Sequence, residues 1–245
     1  MTTNVTPEPK LPKLPKHPAT YTASIVECID AVLHEELDAF PPTPIHILDP
    51  MAGTGKLFDL CTLPHVAWYG VDLERWQDQD GRVDIGDATA LHHPDKFFDA
   101  VVCSPTYGNG MADHHVAKDA STRTSYFHRM AAAGVTMDAR NTGWLHFGPR
   151  GGKRETARYK IVHMKAWREV WRVLKPGGVF VLNVKNFYSA GGVQDVSAWH
   201  ADVCEKIGFE KAATHDVPVP GLKFGDPKTM ARAETERVWV MRKPG

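Results

Sequence analysis

Four consecutive residues, Ser104-Pro105-Thr106-Tyr107, combine a hydroxyl oxygen, a rigid turn and an aromatic ring. They follow the apolar run 97–103, which has the composition of a buried strand. Ligands of open α/β sheets bind beyond the carboxyl ends of the strands, so chemistry is expected at this position. The Ser104 hydroxyl oxygen and the Pro105 carbonyl could accept the two hydrogens of an amine and stabilise the positive charge that its nitrogen gains. The segment therefore predicts a site that could hold a hydrogen-bond donor such as an amine.

A second turn, rich in small residues, follows the predicted strand 45–48. It reads Asp49-Pro50-Met51-Ala52-Gly53-Thr54-Gly55, and its glycines let a ligand approach the backbone without meeting a Cβ atom. A Walker phosphate loop is excluded, because Pro50 and Leu57 stand where that loop needs glycine and Ser/Thr. A dinucleotide fingerprint lacks its third glycine at Phe58, although Asp72 lies at a suitable distance, so that alternative stays open.

The two turns together resemble the motifs of a known enzyme family. Residues 49–55 resemble motif I of the DNA amino-methyltransferases, usually Asp-Pro-Phe-x-Gly-x-Gly, and residues 104–107 resemble their motif IV, (Asp/Asn/Ser)-Pro-Pro-Tyr. Residues 17–21, His-Pro-Ala-Thr-Tyr, look like motif X, and 172–178 resemble the helix-to-strand turn of class I methyltransferases. Thr106 departs from the pattern, since the family has a second proline there, and its freer backbone puts the rigidity of the loop in question.

The resemblance implies S-adenosylmethionine as cofactor and assigns a role to each matching residue. Asp72 would bind the ribose hydroxyls, Asp87 the adenine amine, and Tyr21 would close over the methionine end. Tyr107 would stack on a base rotated out of the duplex. The implied catalytic residues are Ser104, Pro105 and Tyr107; the implied cofactor-binding residues are Tyr21, Asp49, Pro50, Ala52, Gly53, Gly55, Asp72, Leu73, Asp87, Ala88 and Ser104.

Hydrophobic periodicity predicts the elements that position these turns. Apolar spacing predicts helices over 23–37, 159–174 and 196–207, and apolar runs predict strands at 45–48, 66–71, 83–85, 97–103, 179–184 and 237–241. This alternation indicates a mainly parallel sheet covered on both faces. With the resemblance, we expect a Rossmann-like class I methyltransferase with a seven-stranded sheet. Residues 1–16 are expected to form a flexible Pro/Lys-rich arm, and residues 17–245 a single domain.

One segment, about 108–158, lies outside the resemblance and is expected to recognise the target. The chain of 245 residues has no net charge, but residues 111–165 hold ten Lys/Arg against four acids, a net of +6. Such a segment could contact phosphates, or it could be an ordinary solvated surface. Its aromatic residues could stack on bases or form a small core of their own; they are Tyr126, Phe127, Trp144 and Phe147.

Other classes of site and location are disfavoured by the composition. Asp113-His114-His115 offers too few ligands for a metal site, and methyl transfer needs no metal. The sequence has no apolar run long enough to cross a bilayer and no secretory signal, so we expect a cytoplasmic protein without a membrane partner.

Three functions remain open at this stage. The first is methylation of cytosine N4 or adenine N6 in duplex DNA, by a monomer or dimer, in a restriction-modification or phage setting. The second is methylation of an RNA amine such as guanine N2, and the third is a non-catalytic nucleic-acid-binding protein with this fold. Methylation of cytosine C5 is excluded, because Cys103 precedes Ser104 instead of following a proline.

Overall fold

A seven-stranded sheet forms the centre of the protein, as seen in a computed structural model. The structure describes residues 14, 17, 21–37, 44–109, 138, 140–143, 145–149, 152–189, 192–219 and 235–245. The strands, in sheet order, are β3 (Val83–Ile85), β2 (Val66–Asp72), β1 (Ile45–Asp49), β4 (Phe98–Cys103), β5 (Leu174–Val184), β9 (Thr235–Arg242) and β8 (Glu210–Pro218). A separate two-stranded hairpin joins β6 (Phe187–Ser189) to β7 (Gly192–Gln194).

The sheet is mainly parallel, as the sequence predicted. β3, β2, β1, β4 and β5 pair in parallel, whereas β9 runs antiparallel between β5 and β8. β1 and β4 are direct neighbours, with Ile47 opposite Ala100 and Leu48 opposite Val101. Because parallel neighbours end at the same edge, Asp49 and Cys103 bring the two candidate turns together there.

Helices cover both faces of the sheet: α1 (Ala23–Leu37), α2 (Leu57–Leu60), α3 (Gly152–Val173) and α4 (Val196–Ile207). Successive side chains of β1 point to opposite faces, so Ile47 and Leu48 belong to different hydrophobic clusters. Ile47 packs in the cluster that contains Leu33 of α1, and Leu48 in the one that contains Trp167 of α3. The prediction of helices on both faces is therefore confirmed.

Some elements differ from the sequence predictions. α3 begins at Gly152, earlier than the predicted start at residue 159, so it includes the end of the proposed insertion. β8 was not predicted, because this edge strand is mostly exposed and its residues, Glu-Lys-Ala-Ala-Thr-His-Asp-Val-Pro, show little apolar alternation. The β6–β7 hairpin was missed as well.

Several expectations fall on residues that the structure does not describe. These are the arm at 1–16 apart from Leu14, most of the insertion including Tyr126, Phe127 and Trp144, and the Asp113-His114-His115 triplet. Within the described ranges, no helix is both long and apolar enough to cross a bilayer. No group of three or more potential ligands there could hold a metal ion.

Candidate active site

The glycine turn after β1 is tied directly to the end of β2. The N–H of Gly53 donates to Oδ2 of Asp72 over 2.9 Å, and the N–H of Ala52 donates to the carbonyl of Val71 over 3.0 Å. Gly53 and Gly55 have φ values of 57° and 75°, which other residues rarely adopt. Both glycines are therefore required by the shape of the turn.

Asp49 is a buried carboxyl group at the start of this turn. It is 1% exposed, and its Oδ1 accepts the N–H of Met51 over 3.0 Å. Burial raises its pKa to about 7, the Met51 hydrogen bond opposes that rise, and the nearby charge of Asp72 adds to it. Among the described residues, no ion pair joins Asp49 or Asp72 to a cation. The turn thus presents two acids that suit a ligand with positive charge and hydroxyl groups.

Asp72 is largely occupied by the protein itself. Its Oδ1 accepts the N–H of Glu74 over 3.0 Å and the indole N–H of Trp76 over 2.9 Å, while Oδ2 accepts from Gly53. A carboxylate has about four acceptor positions, so about one remains on Oδ2. Asp72 therefore holds the turn in shape and keeps room for a single ligand hydroxyl. Leu73, the next residue, is half-buried.

Tyr21 and His17 bring the motif X-like segment to the same place. Tyr21 packs against the hydrophobic cluster that contains Ile47 of β1, as Ala52 of the glycine turn also does. Burial, and then the charge of Asp49, raise the pKa of Tyr21 well above its usual value. The His17 ring lies against the glycine turn, since a Cβ on Gly53 would come within 2.8 Å of His17 Nε2. His17 and Tyr21 therefore lie beside the glycine turn, and closure of this segment over the cofactor stays a prediction.

The turn after β3 is engaged by a residue that sequence reasoning missed. Asp87 Oδ1 accepts the N–H of Thr89 over 2.8 Å, and its Oδ2 accepts from Arg140 Nη1 over 2.9 Å. Glu74 Oε1 accepts the N–H of Asp138 over 2.8 Å. Asp138, Arg140 and Asn141 thus contact the acidic residues that follow β2 and β3.

The remaining predicted cofactor residues complete the lining of these turns. Pro50 and Ala88 are buried, and Ala52 is half-buried.

The tetrad after β4 takes part in a polar network with two residues from neighbouring strands. Ser104 Oγ lies 3.1 Å from Tyr107 Oη, and Tyr107 donates to Glu236 Oε2 over 2.9 Å. Asn183 Nδ2 donates to Ser104 Oγ over 3.2 Å and to Glu236 Oε2 over 3.0 Å. Pro105 is buried beside them. Strands β4, β5 and β9 therefore each contribute to the surroundings of Ser104.

The direction of these hydrogen bonds follows from the number of protons. The Tyr107 hydroxyl has one proton and gives it to Glu236, so the Ser104 hydroxyl must donate to Tyr107 Oη. Asn183 occupies one lone pair of Ser104 Oγ, which leaves the other open to an outside donor. Burial, and then the charge of Glu236, raise the pKa of Tyr107 well above its usual value, so the phenol stays protonated. Ser104 is thus held as an acceptor for a donor such as an amine.

Thr106, which replaces the family's second proline, is fixed from two sides. Its carbonyl accepts from Tyr159 Oη over 2.6 Å, and its Oγ1 lies 2.7 Å from Thr142 Oγ1. Trp167 Nε1 donates to His200 Nδ1, so the His200 proton sits on Nε2 and points to Tyr159 Oη 2.9 Å away. This buried chain leaves the Tyr159 proton for Thr106 and supplies the rigidity that a proline ring would give.

The sequence predictions thus describe much of the site but not all of it. The structure brings together Tyr21, Asp49, Gly53, Asp72 and the tetrad. The residues that sequence reasoning missed are Arg140, Thr142, Tyr159, Asn183, Lys185 and Glu236.

Only one of these missed residues could have been recognised from the sequence. Asn183 is a polar residue within the apolar strand Val-Phe-Val-Leu-Asn-Val, where an uncharged apolar side chain is the rule.

Comparisons with known proteins give fold similarity at low sequence identity. No family model matches the sequence, and no curated protein matches it. The [4+2]-cyclase SpnF aligns with a TM-score of 0.50 and 17% identity, over 89% of this chain and 80% of that chain. The 1,6-didemethyltoxoflavin-N1-methyltransferase of Burkholderia thailandensis, solved with S-adenosylhomocysteine, aligns with a TM-score of 0.48 and 17% identity, over 90% and 78%.

A third solved structure covers a smaller part of the chain. A protein of Thermus thermophilus named as a DNA modification methylase aligns with a TM-score of 0.36 and 22% identity, over 65% of this chain and 51% of that chain. At such identities the likeness concerns the fold alone. The chain has the Rossmann-like class I methyltransferase fold. Its seven-stranded, mainly parallel sheet agrees with the prediction from the sequence.

Proposed function

We propose that the protein is an S-adenosylmethionine-dependent methyltransferase that modifies an exocyclic amine of DNA, at cytosine N4 or adenine N6. One observation carries the proposal: the open lone pair of Ser104 lies at the same sheet edge as the buried carboxyl of Asp49 and the half-buried carboxyl of Asp72. An acceptor for an amine thus stands beside a turn suited to a cationic ligand. This is the arrangement that transfer of a group from a cationic donor to a nitrogen requires.

The cofactor would be held by the residues around the glycine turn. Asp49, which has no basic partner within the described residues, suits the positive charge of the donor, and the free position on Asp72 suits a ribose hydroxyl. Asp87 would share its Oδ2 between Arg140 and the adenine amine. When bound, S-adenosylmethionine supplies an electrophilic methyl group on sulfur.

The chain's own residues would prepare the amine for attack. An exocyclic amine is a poor nucleophile because its lone pair is delocalised into the ring. Ser104 Oγ and the Pro105 carbonyl would accept its two hydrogens, direct its lone pair away from the ring and stabilise the charge that develops. The half-buried ring of Tyr107 would stack on the base that is rotated out of the duplex.

The basic face of α3 supports DNA as the substrate. Arg154, Arg158, Lys165 and Arg168 follow helical spacing on one side of α3. Near its start, Lys153 and Lys160 line an open groove. Tyr159, on the buried side of the same turns, donates to the Thr106 carbonyl, so phosphates bound along α3 would lie about one helix diameter from the tetrad. We further propose that the protein acts in the cytoplasm.

The proposal is tested by methyl transfer from labelled S-adenosylmethionine to unmethylated duplex DNA and, in parallel, to RNA. Nucleoside mass spectrometry then identifies the modified base and atom. Ser104→Ala should lower transfer to DNA by about 100-fold or more, because the charge-stabilising acceptor is lost. Ser24→Ala is the matched control, since Ser24 lies at the start of α1 and its hydroxyl donates to the Pro218 carbonyl. Label in RNA alone would overturn the DNA assignment, and label in neither would overturn the proposal.

A further inference from the structure

Glu236 is an acid that belongs to none of the motifs and yet contacts the tetrad. It lies on β9, and its side chain is 12% exposed. Its Oε2 accepts from Tyr107 Oη over 2.9 Å and from Asn183 Nδ2 over 3.0 Å. Its Oε1 lies 3.5 Å from Lys185 Nζ. Burying a carboxylate costs free energy. We therefore looked for a function of Glu236 beside Ser104.

The hydrogen bonds from Ser104 to Glu236 all point in one direction. Ser104 donates to Tyr107, and Tyr107 donates to Glu236, which as a carboxylate can only accept. A proton that enters at Ser104 Oγ can therefore be passed on without any side chain turning. The raised pKa of Tyr107 means that a tyrosinate does not accumulate, so the two transfers along this line are coupled.

A proton must leave the amine when it is methylated. The nitrogen forms a new N–C bond while the C–S bond breaks and its electron pair stays on sulfur, so the nitrogen becomes positively charged. We propose that Glu236 receives the released proton through Tyr107 and Ser104. The amine proton passes to Ser104 Oγ, the Ser104 proton to Tyr107 Oη, and the Tyr107 proton to Glu236 Oε2. The product amine and both hydroxyl groups are then neutral, and Glu236 is a carboxylic acid. This inference rests on the proposed function.

No other described acid offers the same connection. Asp49 accepts from Met51, and Asp72 accepts from Gly53, Glu74 and Trp76, but neither has a hydrogen bond to Ser104 or Tyr107 among the described residues. Glu236 is therefore the positioning residue that both orients the two hydroxyl groups and ends the proton path.

The test uses three single variants of the full chain and the double variant Glu236→Gln/Tyr107→Phe. Glu236→Gln keeps an oxygen that can accept the Tyr107 hydroxyl but removes the basic carboxylate. Tyr107→Phe keeps the ring for stacking but breaks the path. Glu210→Gln is the control, because it makes the same chemical change at an exposed position on β8. Single-turnover rates and KM values are measured with labelled cofactor and DNA. The Tyr107 environment is followed separately by nuclear magnetic resonance of [ζ-¹³C]tyrosine, with Tyr107→Phe assigning its signal.

The relay predicts a specific pattern. Glu236→Gln and Tyr107→Phe each lower kcat by about 100-fold, the low end of the usual effect of acid–base groups, while KM for the cofactor is unchanged. The double variant falls no further than either single variant, because both break one path. Glu236→Gln also shifts the Tyr107 Cζ signal without cofactor or DNA, whereas Glu210→Gln does not.

Each contrary result has a distinct meaning. A fully active Glu236→Gln variant, or additive losses in the double variant, would overturn the relay and leave the methyltransferase proposal standing. An unchanged Tyr107 signal would remove the contact on which the relay depends. A wild-type protein that methylates neither DNA nor RNA would end both proposals together.

Discussion

Replacing Asp49 by asparagine should stabilise the free protein at neutral and alkaline pH. The Asp49 carboxyl is buried and lacks a cation within the described residues, so its ionised form is penalised in the folded state. Asparagine has nearly the same shape, keeps an oxygen for the N–H of Met51 and carries no charge. The substitution therefore removes the burial penalty while keeping the local hydrogen bond.

The size and the pH dependence of this effect follow from the pKa. Burial raises the pKa of Asp49 from 3.8 to about 7 in the folded protein. Between those values the folded state keeps its proton while the unfolded chain loses it, so wild-type stability falls as the pH rises. At 1.36 kcal/mol per pKa unit, the total fall is about 4 kcal/mol. Asp49→Asn should thus match the wild type near pH 4 and exceed its free energy of unfolding by about 4 kcal/mol at pH 8.

Urea denaturation at several pH values measures this difference, and Asp99→Asn provides the matched control. Asp99 on β4 is also buried, at 5% exposed, but its Oδ1 lies 2.6 Å from Lys175 Nζ and its Oδ2 accepts the N–H of His46. Loss of that pairing should lower the free energy of unfolding at pH 8 by about 1–3 kcal/mol. The change from aspartate to asparagine is thus expected to raise the free energy of unfolding at position 49 on β1 and to lower it at position 99 on the neighbouring strand β4.

An Asp49→Asn variant that is no more stable than the wild type at pH 8 would refute the reasoning. It would mean that the Asp49 carboxylate is solvated or paired in solution, and the argument that the turn awaits a cation would lose its basis.

Three further outcomes are expected. Affinity for S-adenosylmethionine, measured by calorimetry, should fall by up to about tenfold per pH unit below pH 7, because Asp49 then takes up a proton and no longer attracts the cationic donor, and the dependence should vanish in Asp49→Asn; an unchanged dependence would contradict this assignment. Tyr159→Phe should lower the free energy of unfolding by about 1–3 kcal/mol and reduce methyl transfer, since the Thr106 carbonyl loses its donor; full activity would show that this contact does not position the tetrad. Joint replacement of Lys153 and Arg154 by alanine should reduce the slope of log affinity for DNA against log salt by about 2, measured by fluorescence anisotropy; an equal slope would place DNA elsewhere.

The sequence was sufficient to predict the parts of the site that follow one strand after another. Asp49 and Ser104 each come directly after an apolar run, and parallel strands end at one edge, so the sequence predicted the same edge for both residues. Their place in one pocket was implied by the motif resemblance, and the pairing of β1 with β4 makes the two strand ends neighbours. The apolar periodicity of 23–37 and 196–207 gave both helices at their observed bounds.

The parts that could not be predicted depend on tertiary contacts between distant residues. Glu236 lies 129 positions after Tyr107, and it reaches the site only because β9 inserts antiparallel between β5 and β8. The first turns of α3, from Gly152 to Arg158, lack large apolar residues, so periodicity contains no information about them. These turns lead into Tyr159, which is fully buried and donates to the Thr106 carbonyl, and this tertiary contact is not visible in the local sequence.

Both ends of the stretch 110–137 are anchored at the site itself. On one side Asn109 forms a β-bridge with His146, and the N–H of Phe147 donates to the Gly108 carbonyl over 2.6 Å. On the other side the N–H of Asp138 donates to Glu74 over 2.8 Å. A segment whose two flanks are fixed to the framework can be exchanged without disturbing what holds those flanks. If residues 110–137 recognise the target, as the sequence predicts, exchanging them between positions 109 and 138 should change sequence preference and leave the contacts of the flanks in place.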